Sequence, residues 1–204
     1  MFALVESGSI TKMLNGNKGI QIGDLKYPRA IYTLWTEAER NAIGIYTVEY
    51  DDSNKKDEKW YINTDQSFAF ADNKVTASYG SATAKAHADT TWTQQQIDDG
   101  DAPDGADTDT VAVEGLKTRL IKTVKAQAEG ELNRTDWYIT RKAEKNTAIP
   151  SAITTHRDAV RSKQAAMETA ITNASDTPAL ETLYTYTRQE DGSTTRPLGE
   201  LPIL

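Results

Sequence analysis

The hydrophobic pattern of this chain changes period once along its length, and that change constrains the fold more than any other feature. Up to Tyr79 the apolar and β-branched residues fall in short runs: Phe2-Ala3-Leu4-Val5, Ile45-Tyr46-Thr47-Val48-Glu49-Tyr50, Phe68-Ala69-Phe70 and Val75-Thr76-Ala77. Strands put successive side chains on opposite faces, so Tyr46, Val48 and Tyr50 share one face. From Val111 onward, Val113, Leu116, Leu120, Val124, Ala128 and Leu132 recur at three- and four-residue steps, the spacing of a helical stripe. Strand-like sequence followed by helix-like sequence predicts an α+β protein with its two kinds of layer segregated.

Within the strand half, Ser7-Gly8 between Val5 and Ile10 predicts an N-terminal hairpin. Pro28 keeps the backbone before it extended, and Ala30-Ile31-Tyr32-Thr33-Leu34-Trp35 reads as a strand or packed loop. Thr36-Glu37-Ala38-Glu39 has the form of a capping box, which predicts a short helix over 37–43 ended by Gly44. Trp60-Tyr61-Ile62, Phe68-Ala69-Phe70 and the run from Val75 to Tyr79 are separated by turn-forming residues and outline a β-meander.

Between Ser81 and Asp109 apolar residues thin out, and Asp98, Asp99, Asp101, Asp104, Asp107 and Asp109 accumulate without a base. The expected organisation is a β-rich domain over 1–95, an acidic linker over 96–110, a helical-hairpin domain over 111–184 and an extended tail over 185–204. Trp92 would pin the linker to one of its flanking modules. The first helix should run to about Asn133 and the second from Pro150 to Ala174. In the second, Ile153, Val160, Met167 and Ala174 lie seven residues apart, with Ile149, His156, Ala170 and Ile171 beside them. The two helices are expected to pair. The segment 136–147 then becomes their connection, with Trp137 and Ile139 covering the end of the apolar seam and Trp137 a buried packing anchor. Pro178 opens a short third helix, and the apolar end from Leu198 to Leu204 is suited to docking.

Several chemistries lack their residues. There are no cysteines, so thiolate nucleophiles, disulfides and zinc–thiolate sites are excluded. His87 and His156 are the only histidines, and neither lies in a nucleophile–base arrangement; both read as structural or surface residues. No phosphate-binding glycine loop occurs. The aspartates at 98–109 lack the acid–glycine spacing of a calcium loop and read as a solvated acidic segment. Apolar runs are too short to span a bilayer, and the N-terminus has neither the basic region nor the apolar core of a signal peptide, so no membrane partner or cofactor is expected. Arg134, Arg141, Lys142, Lys145, Arg157 and Arg161 surround Trp137-Tyr138 and would suit a phosphate or acidic surface. Asp136, Glu144 and Asp158 are interspersed, however, and the net charge is −7. Surface ion pairs are therefore the expected role of this cluster, and nucleic acid is not an expected partner.

The string Thr135-Asp136-Trp137-Tyr138-Ile139-Thr140-Arg141-Lys142-Ala143-Glu144, followed by Ala148-Ile149-Pro150 and a helix bearing Arg157 and Arg161, resembles the C-terminal module of small tail proteins of tailed, marine-type bacteriophages. The Phe2-Ala3-Leu4-Val5-Glu6-Ser7-Gly8 hairpin, the Tyr27-Pro28 element and the short helix leading into Gly44-Ile45 are similar to the same proteins. A looser likeness joins the chain to tail-fibre assembly proteins and tail assembly chaperones. It departs from these in carrying Arg141-Lys142-Ala143-Glu144 where they have a Leu-Pro-rich turn. The resemblance implies a non-enzymatic virion tail protein, made in the host cytoplasm, that binds a tail-fibre or baseplate protein. Its alternative is a fibre assembly chaperone that dissociates before maturation. Trp137, Tyr138, Arg141, Leu201 and Ile203 are the expected partner-binding residues, and the fibre context suggests a trimer.

Overall fold

β1 (Phe2–Glu6) and β2 (Ser9–Leu14) form the expected antiparallel hairpin in the computed structural model, which describes residues 1–204. The chain forms two compact units, 1–83 and 84–204, each with its own core. The division falls earlier than the boundary expected near residue 95.

In the first unit, β3 (Ile20–Ile22) and β4 (Leu25–Tyr27) make a second small hairpin. The next residues depart from expectation. Ile31–Leu34 is a short helix, α1, in which Leu34 N–H donates to the Ala30 carbonyl and Ile31 and Tyr32 are buried. Burying that pair against β1 overrides the strand preference of a β-branched and aromatic run. α2 (Glu37–Ala42) has the predicted capping box: Glu39 N–H donates to the Thr36 hydroxyl, and the Glu39 carboxylate accepts from Thr36 N–H at 2.7 Å. Gly44 ends the turn at φ +80°, and a Cβ there would lie 2.6 Å from the Val5 carbonyl oxygen. Only glycine suits both demands.

The expected meander is corrected by topology. β5 (Ile45–Asp51) pairs antiparallel with β1, but the chain passes through β6 (Tyr61–Ile62) and β7 (Ser67–Ala71) before β8 (Lys74–Ser78) returns parallel to β5. The sheet order is β2-β1-β5-β8-β7. Parallel neighbours need a long crossover, and 52–73 supplies it. The edge strands β2 and β7 contact each other, so the sheet curls. Ala3, Val5, Val48, Val75 and Ala77 fill its concave side, with Ile10, Met13, Tyr46, Phe68 and Phe70 around them. Leu4, Ile20, Ile31, Tyr32 and Ile45 form a second cluster on the other face. β9 (Thr83–Ala84) pairs with β6 as the chain leaves this unit.

In the second unit, β10 (Thr90–Thr91) pairs with β11 (Val111–Val113), Thr90 opposite Val113 and Thr91 opposite Val111. The residues expected to be a linker are therefore a loop closed at its base, and Trp92 N–H donates to the Thr110 carbonyl to tighten it. Within it, α3 (Gln94–Asp98) begins with a Thr93–Gln96 capping box. Val113 belongs to a strand, and the helical stripe starts at α4 (Leu116–Asn133). Gly115 at the N-cap has no side chain to cap the helix, and Asp89 does so from outside, accepting from Gly115 N–H at 2.7 Å and from the Thr118 hydroxyl at 2.8 Å.

After α4 come α5 (Asp136–Lys145), α6 (Ser151–Asn173) and α7 (Thr177–Tyr184). α4 and α6 pair antiparallel, as Lys125–Glu168 at one level and Lys117 to the Thr172 carbonyl at another show. Leu116, Leu120, Val124 and Ala128 from α4 and Ile153, Val160, Met167 and Ile171 from α6 are buried, the stripes predicted from spacing. The terminal residues are not simply extended. β12 (Thr187–Arg188) and β13 (Thr194–Thr195) form a hairpin, Leu198 N–H donates to the Leu183 carbonyl, and the Leu198 side chain is buried. Arg196 sits over the rings of Tyr184 and Tyr186 at 5.1 and 5.2 Å and pairs with Glu200.

Candidate functional site: an exposed aromatic helix

Residues 136–147, expected to be the connection between the paired helices, hold a ten-residue helix with no buried side chain. Its sequence supports a helix end to end. Asp136 lies in the first turn and Lys142 and Lys145 in the last, each favourable to the helix dipole, and Asn146 closes it in the left-handed conformation at φ 51°.

The start of α5 is fixed from α6. Arg157 is buried, and its Nη1 donates to the Leu132 carbonyl (2.8 Å) and the Thr135 hydroxyl (2.6 Å) while pairing with Asp136 (2.8 Å). Thr135, fully buried, donates in turn to the Leu132 carbonyl. One guanidinium thus joins the end of α4, the intervening turn and the first residue of α5. This polar plug occupies the end of the α4–α6 seam, the place expected for Trp137.

Trp137 accordingly lies outside the core, 51% exposed, with Ile139 43% exposed. The Trp137 and Tyr138 rings stack at 3.7 Å between centroids, and the Arg141 guanidinium lies 6.0 Å from the Trp137 ring. Helical spacing places Trp137, Arg141 and Lys145 in one row and Tyr138 and Lys142 in the next, an aromatic and mainly basic face with Glu144 at its border. The wider basic cluster is divided up. Arg157 is buried, Arg134 pairs with Glu131 and Arg161 with Asp158 along their own helices, leaving Arg141, Lys142 and Lys145 as the cations of α5.

Leu201 and Ile203 lie elsewhere. With Glu200 they line a groove of about 420 Å³ against Gln127, Gly130 and Glu131 of α4, and Ile203 is 77% exposed. The predicted partner-binding residues therefore form two surfaces. In the first unit an open hollow of about 490 Å³ is lined by Lys12, Lys18, Met13, Ile20 and Tyr32 and carries no carboxylate.

Reactive clusters do not assemble. His156 is buried on α6, and His87 is half-buried with its carbonyl accepting from Lys117 N–H. Asp98 and Asp99 accept from Gln94 and Gln95, Asp107 accepts from the Thr110 hydroxyl, and no group of three His, Cys, Asp or Glu side chains is placed to hold a metal ion. Two structurally important residues were missed from the sequence. Arg157 was read as part of a surface cluster, although its place between Ile153 and Val160 on the buried stripe was the available signal. Asp89 gave none, because its partner Gly115 is distant in sequence. No protein-family model, curated protein or solved structure matches the chain.

Proposed function

We propose that this protein is a structural or attachment component of a bacteriophage tail that binds a tail-fibre or baseplate protein, with α5 and the Leu201–Ile203 groove as its contact surfaces toward neighbouring subunits of the tail. One observation carries the reading: α5 is a helix closed at its C-terminus by Asn146 and tied at its start to Arg157, has no buried side chain of its own and presents Trp137 and Arg141 on one side. Tryptophan, tyrosine and arginine dominate the energetics of protein interfaces, and a helix fixed before binding loses little freedom when it docks. The tail context rests on the resemblance of 135–144 and of the N-terminal hairpin to small tail proteins. A binding role needs no reacting groups and suits a chain without an assembled acid–base or metal cluster.

Mass spectrometry of purified phage tails tests the assignment. Expected is a fixed stoichiometric ratio between this chain and the fibre or baseplate proteins. Its absence from tails, with soluble fibre obtained only on co-expression, would assign the chaperone role instead.

A further inference from the structure

The face of α5 has its complement elsewhere on the same chain. Between Lys85 and Lys117 there is no lysine or arginine, and Asp98, Asp99, Asp101, Asp104, Asp107 and Asp109 line the loop closed by β10 and β11. None of these six takes part in an ion pair, and neither do Arg141, Lys142 and Lys145. The two charge sets therefore do not neutralise each other within one copy. Each also adjoins exposed apolar surface: Val111 (44%) and Val113 (56%) on the strand that leaves the acidic loop, Trp137 (51%) on α5.

We infer that the occupant of α5 is a second copy of this chain, the aromatic and basic face of one copy docking on the acidic loop and β11 of the next. The contact is heterologous, because the two complementary surfaces belong to different elements, and repetition generates a closed ring or an open filament. Opposite charge sets the pairing and its register, while Trp137, Val111 and Val113 supply apolar area removed from water. The exposed edge of the two-stranded β10–β11 ladder is covered in the same step. This rests on α5 being an interaction element but not on the tail assignment, so self-association in solution and presence in tails can fail independently.

The test is the mass of the purified full-length chain by light scattering across protein concentration, at about 50 mM and about 500 mM salt, where the screening length falls several-fold. Expected is concentration-dependent association at low salt that weakens at high salt. Arg141→Glu, Lys142→Glu and Lys145→Glu combined should give a monomer, as should Asp98→Lys, Asp99→Lys and Asp101→Lys combined. Mixing the two variants should restore association, since each keeps one native surface and the reversed surfaces also match. Circular dichroism confirms that each variant remains folded. A wild-type chain that stays monomeric at low salt, or oligomers insensitive to salt and to both charge reversals, would overturn the inference.

Discussion

At Arg157 a single guanidinium nitrogen meets three acceptors from two helices and the turn between them, and the side chain is buried. Removing it leaves the Leu132 carbonyl and the Thr135 hydroxyl without that donor and Asp136 without its cation. Arg157→Ala should therefore destabilise the protein by about 3 kcal/mol, measured by urea denaturation. Lysine should recover part of this, because its ammonium keeps the charge and offers three donors from one nitrogen. Trp137 makes the contrast. Reading it as a core anchor predicted a loss of about 3–5 kcal/mol on truncation to alanine. Its exposure now predicts a change within about 0.5 kcal/mol in the same assay, with partner affinity weakened by about 2 kcal/mol, roughly 30-fold.

At the level of elements, α4 depends on a residue outside it. Asp89 caps its start, and the Gly115 N–H first, then the Thr118 hydroxyl, hold the Asp89 carboxyl below the usual carboxylate range. A folded pKa below the unfolded one gives stabilisation that is complete above about pH 4 and is lost as pH falls through the lowered folded value. Asp89→Asn should lower the melting temperature at neutral pH and flatten its decline under acid, read by thermal melts from pH 7 to 3. Gly115 has a second constraint, because a Cβ would meet the Ala88 carbonyl directly. Gly115→Ala should displace 86–89 and weaken the same cap. The paired helices follow simpler rules. Val160 and Met167 are buried on α6, and Met167→Ala should cost about 2–4 kcal/mol by leaving a cavity between α6 and its neighbours.

Across the whole molecule, what could be read from sequence was what depends on local chemistry and period. The N-terminal hairpin, the Thr36–Glu39 capping box, the α4 and α6 stripes and the α+β class follow from adjacent residues or fixed spacings. What escaped depends on long-range pairing. The parallel β5–β8 neighbours, the closure of the acidic loop by β10 and β11 and the Asp89 cap join residues twenty or more positions apart, which no periodicity encodes. α5 was missed for the opposite reason. It has no apolar stripe facing a core, and that is the usual signal by which a helix is recognised. The same lack is what the proposed docking of α5 on a partner outside the folded chain rests on.

Cross-linking of intact phage tails through lysines, read by mass spectrometry, tests that claim most directly. The account predicts intermolecular links from Lys142 and Lys145 on α5, either to another tail protein or to a second copy of the chain. Tails that contain the protein while both lysines react only within their own chain or with solvent would contradict it.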